Sequence, residues 1–302
     1  MVDLFEISIA YLNSRGSLYY KYMEKKNCIL LVDNGSHRAA SVLSLRRIAK
    51  ELSVRSGREV HPVSLLHSTK VDPEELDGVP ADIVEPFIEE KLSNGLDSFL
   101  VVPLFFGRSA AIYEYLPQRI VEMRKQFSNL KVRIADPLVD IENVQNDDVA
   151  QILADLVRIK ISENKLKRPS VTLVDHGTPR KKVNDVRNFI ADQLKDILSN
   201  EVSVVEASSM ESRPEPEYEF NQPLLENLLG SAGFCGDVIL SMLFISPGRH
   251  AGEGGDIHTI CTDSETKCNG LKTYMSGLLS EHEGIVQILD TRLRRGVDSL
   301  PI

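Results

Sequence analysis

Cys28-Ile29-Leu30-Leu31-Val32-Asp33-Asn34-Gly35-Ser36 returns in the second half of the chain as Ser170-Val171-Thr172-Leu173-Val174-Asp175-His176-Gly177-Thr178. A short apolar run that ends in Asp-x-Gly-Ser/Thr reads as a buried strand turning into a loop. A second match follows at nearly the same offset, with Val102-Pro103-Leu104-Phe105-Phe106-Gly107-Arg108-Ser109 against Leu243-Phe244-Ile245-Ser246-Pro247-Gly248-Arg249-His250. Two matches in the same order indicate a duplication. The chain of 302 residues is accordingly divided into an extension 1–27, a first lobe 28–164 and a second lobe 165–302. At about 150 residues, each half is long enough for a core of its own.

In each half, apolar runs alternate with helical periodicity, the pattern of a mostly parallel sheet covered on both faces. Strands are expected near 28–33, 60–66, 98–105 and 131–135, then near 170–175, 201–206, 237–245 and 271–275. Val42, Leu45, Ile48, Ala49 and Leu52 share one helical face, as do Ile83, Val84, Phe87, Ile88 and Leu92. Val183, Val186, Phe189, Ile190, Leu194 and Ile197 make the matching helix of the second half. The seam lies around a helix at 147–163 and the stretch Lys165 to Pro169. The fold class is α/β, two small doubly wound lobes in tandem.

Composition narrows the function. A net charge of -9, with no dominant basic run, argues against a general nucleic-acid binder. The longest apolar stretches fall far short of the about 20 residues that cross a bilayer. The N-terminal segment contains acidic residues and lacks both a secretory apolar core and an acid-poor transit pattern. It reads as an extra helix or a remnant of processing. Cys28, Cys235, Cys261 and Cys268 form no close-spaced framework, and the six residues between Cys261 and Cys268 fit no common zinc spacing. Free thiols in a reducing compartment are expected.

Open parallel sheets bind ligands beyond the carboxyl ends of their strands, commonly between the first and third. In the second half this selects the loops 175–180 and 246–256, each with one histidine, His176 and His250. If those strands are neighbours, about 4.8 Å separates them, close enough for two imidazoles to share a metal. His37, His61, His67, His258 and His282 are read as surface or helix-end residues, the last two in segments able to border the same cleft. Thr178 and Pro179, followed by Arg180, Lys181 and Lys182, set a cap and three cations at a helix start, a favourable place for carboxylates. Gly248, Gly252, Gly254 and Gly255 would let the backbone approach a flat ligand, and no Lys-Ser or Lys-Thr follows to make a phosphate loop.

On these residues the chain resembles the class II tetrapyrrole chelatases of the sirohydrochlorin cobalt- and ferrochelatase type. Leu173-Val174-Asp175-His176-Gly177-Thr178 is similar to the family's strand-His-Gly-Ser/Thr opening. Phe244-Ile245-Ser246-Pro247-Gly248-Arg249-His250, with Asp256-Ile257, resembles its Gly-x-His and Asp-Ile turn. Ala207 to Glu211 with Pro214 is similar to its acidic segment, and Leu278 to His282 to its closing motif. The resemblance implies two flavodoxin-like lobes related by a pseudo-twofold around a cleft. It implies a metal held by His176 and His250, with Glu211 as the acidic third group and Glu206 as its rival. Arg180, Arg249, Gly248 and Thr178 are then the substrate-binding candidates. The first half has Asn34 and Ser109 at the histidine positions, which makes it a degenerate lobe. The closing motif has Leu278 and Ser280 where the family has Pro and Gly, and His250 and Asp256 stand two residues further apart than usual.

The implied function is insertion of Fe²⁺ or Co²⁺ into a sirohydrochlorin-type tetrapyrrole, in siroheme or cobalamin-type synthesis. The metal is a substrate, with no permanently bound cofactor, no nucleic-acid partner and no membrane partner. The cytoplasm or a plastid stroma would suit it. One rival is a non-catalytic tetrapyrrole or metal carrier derived from a chelatase. The other, a hydrolase built on His176, would want an Arg directly before that histidine, where Asp175 stands.

Overall fold

A computed structural model describes residues 8–12, 18–22, 27–252 and 254–297. Strands β1 (Ser8–Leu12) and β2 (Leu18–Tyr22) pair antiparallel, Ala10 opposite Tyr20. This corrects the helix expected for the extension. Four of these ten residues are Tyr, a type that favours extended backbone.

The first half runs β3 (Cys28–Asp33), α1 (Ala39–Ser56), β4 (Val60–Ser64), β5 (Asp82–Ile83), α2 (Val84–Ser93), β6 (Ser98–Pro103), α3 (Leu116–Met123), β7 (Lys131–Ile134) and α4 (Asp148–Asn164). Its parallel sheet has the order β5-β4-β3-β6-β7. The second half runs β8 (Ser170–Asp175), α5 (Lys181–Ile197), β9 (Val205–Ser209), α6 (Leu225–Leu228), β10 (Asp237–Met242), α7 (Asp256–Lys267), β11 (Lys272–Met275) and α8 (Gly284–Val297). Its sheet has the order β11-β10-β8-β9, so β8 lies beside β10, the third strand of its lobe, as β3 lies beside β6, the fourth of its own because the short β5 intervenes in the chain. The central strands are buried along nearly their whole length, as continuous apolar runs in parallel sheets must be. α1 stops at Gly57, whose left-handed backbone (φ 69°) sends its N–H to the Ser53 carbonyl.

The helices that close the two halves cross over. α4, last in the first half, packs on α5 and β10 of the second, and α8 packs on α1, β6 and β7 of the first. Gly296 lets α8 approach closely, because a Cβ there would stand 2.9 Å from the side chains of Leu100 and Ala135. Buried Arg292 fastens it by donating to the carbonyls of Pro137 (2.8 Å) and Leu138 (3.0 Å). One apolar core consequently runs through both sheets, from Leu31 and Ile48 through Leu153 and Leu289 to Leu173 and Ile239. Smaller cores cover the outer faces. Two separate cores are the expectation from length alone, and the helix exchange is why they fuse.

Pairing moves two other sequence readings. β9 begins at Val205 instead of 201, since Asp175 pairs with Ser209 and Val171 with Val205. In the second repeat match the strands shift by two residues. Leu104 donates to Val32 O as Leu243 does to Val174 O, and the Phe106 and Ile245 carbonyls accept from Val139 and Ser280. Phe106 is thus the counterpart of Ile245, and Gly107-Arg108-Ser109 aligns with Gly248-Arg249-His250 only across a two-residue insertion. Among the described residues no helix is long and apolar enough to cross a membrane.

Cys235 and Cys268 form a disulfide, against the expectation of free thiols, because the turn before β10 folds onto the end of α7. Cys28 and Cys261 are free and buried, and burial pushes each thiol up to about 11. At pH 8 the thiolate fraction is then about a hundredfold below that of a thiol at 9.0, before steric protection is counted. Iodoacetamide should leave the native chain nearly unlabelled, label two cysteines after unfolding without reductant, and label four with it. Mass spectrometry showing fast native labelling would contradict the burial.

Candidate functional site

The carboxyl end of β8 is shaped by Asp175, whose Oδ1 accepts from the Gly177 N–H (3.1 Å) and the Ser209 hydroxyl (2.6 Å). Gly177 takes φ +92°, and a Cβ there would run into the Glu211 carbonyl oxygen. Glycine therefore lets the β8 loop lie directly on the loop after β9, and Glu211 N–H donates to His176 O (3.2 Å). This contact brings His176 Nε2 to 3.4 Å from Glu211 Oε1, while its Nδ1 lies 3.1 Å from Gly177 O.

His250 follows β10. Its Nδ1 lies 2.6 Å from Oδ2 of Asp256, the first residue of α7, and Arg249 Nε is 3.5 Å from the same oxygen. A carboxylate on one ring nitrogen fixes the ring and leaves Nε2 for a ligand. The His176 and His250 rings stand 4.5 Å apart between centroids, at 68°. His176 thus stands beside Glu211 on one side and His250 on the other, the three residues following three adjacent strands. Among the described residues no group of three or more His, Cys, Asp or Glu is arranged to hold a metal ion.

Behind this loop lies a residue that hydrophobic periodicity passes over. Arg187 faces the core from α5 with its side chain 2% exposed. It donates to the Ser209 hydroxyl and to the Asn221 (3.2 Å) and Phe220 (3.3 Å) carbonyls, 3.8 Å from Asp175. Burial pushes the Asp175 carboxyl up, while the Ser209 hydrogen bond and the Arg187 charge pull it down. Asn221 then clasps Thr178, accepting from its N–H (3.1 Å) and donating to its carbonyl (2.9 Å).

His176 and Thr178 line an interlobe cleft of about 350 Å³, together with Asn34, Gly35 and Ser36, and with apolar walls from Leu104, Phe105 and Phe106 and from Leu243, Phe244 and Ile245. The lobes are tied beside it by Ser41 Oγ to Pro247 O (2.5 Å) and Ser246 Oγ to Ser44 Oγ (3.1 Å). Gly248 N–H is used within its own loop, on Ala251 O (3.1 Å). The two arginines are not free cations. Arg180 makes a two-pronged pair with Glu114 of the first lobe (2.5 and 3.2 Å), and Arg249 pairs with Asp256. Glu206 faces a different groove, with Arg187 and Lys195, and His282 sits in another, 3.7 Å from Asp155.

The first lobe repeats the backbone device without the donors. Asp33 accepts from Gly35 N–H (3.0 Å), Gly35 has φ +88°, and a Cβ on it would strike the Leu66 carbonyl. Leu66 is therefore the counterpart of Glu211, a substitution invisible in the two repeat matches, as it lies in the spacer between them. Gly177→Ala should cost about 2–4 kcal/mol, as backbone strain of about 1–3 adds to a backbone collision. Gly57→Ala, with a positive φ but open space around it, should cost about 1 kcal/mol. Urea unfolding checks the pair, and equal losses would mean that the loop contact carries no strain.

The CbiX family model matches residues 28–146 and 170–296. No curated protein matches the sequence significantly. Among solved structures, the chain is similar to SirB from Bacillus subtilis with Fe3+, at 15% identity over 90% of this chain and 96% of that one, TM-score 0.63. It is also similar to the sirohydrochlorin chelatase SirB from Bacillus subtilis subspecies spizizenii in complex with cobalt, at 14% over 90% and 95%, TM-score 0.61. A third is CbiX, the terminal enzyme of siroheme biosynthesis in denitrifying bacteria, at 12% over 89% and 99%, TM-score 0.55. At these identities the likeness is one of fold: two parallel-sheet lobes of the chelatase type.

Proposed function

Because the chain belongs to the CbiX family, we propose that it inserts Fe²⁺ or Co²⁺ into a sirohydrochlorin-type tetrapyrrole, the metal being a substrate and no cofactor being resident. The observation that carries this reading is the His176–His250 pair, 4.5 Å apart, with His176 lining a cleft of apolar walls. Imidazole nitrogens and one carboxylate suit a borderline divalent ion, so His176, His250 and Glu211 are assigned as its donors. Phe105, Phe106, Leu243 and Phe244 offer apolar surface to a macrocycle face. Two pyrrole N–H protons must leave as the metal enters; an imidazole freed from the metal accepts one and solvent water takes the other.

Anaerobic incubation with sirohydrochlorin and Fe²⁺, Co²⁺ or Ni²⁺, followed by absorbance, tests the proposal. Many products per chain are expected. Among the described residues no three such donors are arranged to hold a metal ion, which gives the carrier reading its footing, and that reading allows no product beyond what each chain binds.

Arg180 and Arg249 are assigned to the substrate's carboxylates. Solvent screens an exposed ion pair, so exchanging Glu114 for a substrate carboxylate costs little. Arg180→Glu should raise KM for the macrocycle about tenfold or more with little change in Co²⁺ affinity, whereas Glu114→Ala should leave KM level or lower it. If both variants raise KM equally, Arg180 serves only to join the lobes.

A further inference from the structure

The first lobe lacks donors at Asn34, Leu66 and Ser109, yet it carries a histidine pair of its own one step outward from the same junction. His37 stands three residues after Asn34 and His67 one after Leu66. Both are exposed, with ring centroids 5.2 Å apart and planes at 30°. Among the described residues neither imidazole makes a hydrogen bond or an ion pair. In contrast, His61, His176, His250 and His282 each have a carboxylate nearby.

Their backbones are held together. Gly35 lies against the Leu66 carbonyl, Ser36 N–H donates to Ser68 Oγ (3.2 Å), and buried Ser68 donates to Ser64 Oγ (2.7 Å). His67 itself is fixed at φ 69°, ψ -33°, a region that L residues populate rarely and that persists only where the surroundings impose it. A structure that pins one imidazole at a strained position beside another, with no carboxylate between them, leaves both rings available to a third party.

We propose that His37 and His67 form a second divalent-metal site, for a borderline ion such as Co²⁺, Ni²⁺ or Zn²⁺, with water filling the remaining positions. Two nitrogens on one tetrahedral ion at about 2.0–2.1 Å lie about 3.3 Å apart. Rings 5.2 Å apart reach that separation by side-chain rotation alone. With two neutral ligands and no carboxylate, the site binds more weakly than one containing Glu211. Asn34, Gly35 and Ser36 line the cleft, so His37 follows directly on that wall in the chain, while both histidines stand outside the cleft lining. The proposal concerns metal alone and holds whether or not the chain acts on a macrocycle.

The test is Co²⁺ titration of the full chain by calorimetry and visible absorption. In the His176→Ala/His250→Ala background one Co²⁺ equivalent should remain. Adding His37→Ala, at an exposed loop position, should weaken it by at least the about 10–100-fold that loss of a mere supporting group costs a metal site. Adding His67→Asn, whose side chain tolerates positive φ, should do the same, with circular dichroism reporting the fold. Absence of Co²⁺ binding at millimolar metal in the double-alanine background overturns the proposal, as does binding unchanged by His37→Ala.

Discussion

Alanine at His176 or at His250 is expected to lower metal insertion by about a thousandfold or more, a loss of about 4 kcal/mol in transition-state stabilisation, with the fold intact. The side chains are 44% and 28% exposed, so stability should move by about 1 kcal/mol or less. A graded series sharpens the result. Asp256→Asn keeps the shape beside His250 Nδ1 but removes the charge that orients the ring, and should cost about 10–100-fold. Glu211→Gln retains one oxygen donor and should fall between the two. Asn34, Leu66 and Ser109 changed to Ala should leave the rate within about threefold, because an amide, an alkyl group and a hydroxyl compete poorly with imidazole for Fe²⁺ or Co²⁺. Wild-type rates in folded His176→Ala and His250→Ala chains would remove both residues from the site. A large loss from Asn34→Ala would move the chemistry to the other lobe.

The repeat at Asp33-Asn34-Gly35 and Asp175-His176-Gly177 made the sheets, the lobes and the histidine loops legible, since each rests on local pattern and one topological rule. Burial bears out the face Val42, Leu45, Ile48, Ala49 and Leu52 residue by residue. Long-range pairing is what the pattern lacks. β9 starts late because register with β8 decides it, and the extended extension, the exchange of α4 and α8, and the Cys235–Cys268 bond depend on contacts between distant segments. The site divides along the same line. Glycines at positive φ could be anticipated from Asp-x-Gly, whereas Glu114 opposite Arg180 joins positions 66 residues apart on different lobes. Arg187 left one readable sign, a charge on the core-facing stripe of a helix.

That sign leads to the second large effect. α1 buries Val42, Ser44, Leu45, Ile48, Ala49 and Leu52, and α5 buries Asn184, Val186, Arg187, Ile190, Ala191 and Leu194 in the same pattern. Arg187 thus occupies the place of Leu45, although Asp33 and Asp175 are matched carboxylates, each pushed up by burial. The first lobe keeps its Asp-x-Gly turn with leucine behind it, so the turn itself needs no cation. What Arg187 adds is a bridge from Ser209 to the Phe220 and Asn221 carbonyls, and so to the segment that clasps Thr178. Arg187→Leu should cost about 3–5 kcal/mol, the range for stranding the partners of a buried charge. Adding Asp175→Asn should recover about 1–2 kcal/mol, the coupling of neighbours in one network. The remainder belongs to the two carbonyls and Ser209, which no change at position 175 can satisfy. In the folded Arg187→Leu chain, Co²⁺ affinity at His176 should fall as well, because the loops carrying His176 and Glu211 lose their shared anchor. Urea unfolding and Co²⁺ titration read the two effects separately. A stability within about 1 kcal/mol of wild type would mean that the arginine merely fills the leucine's space.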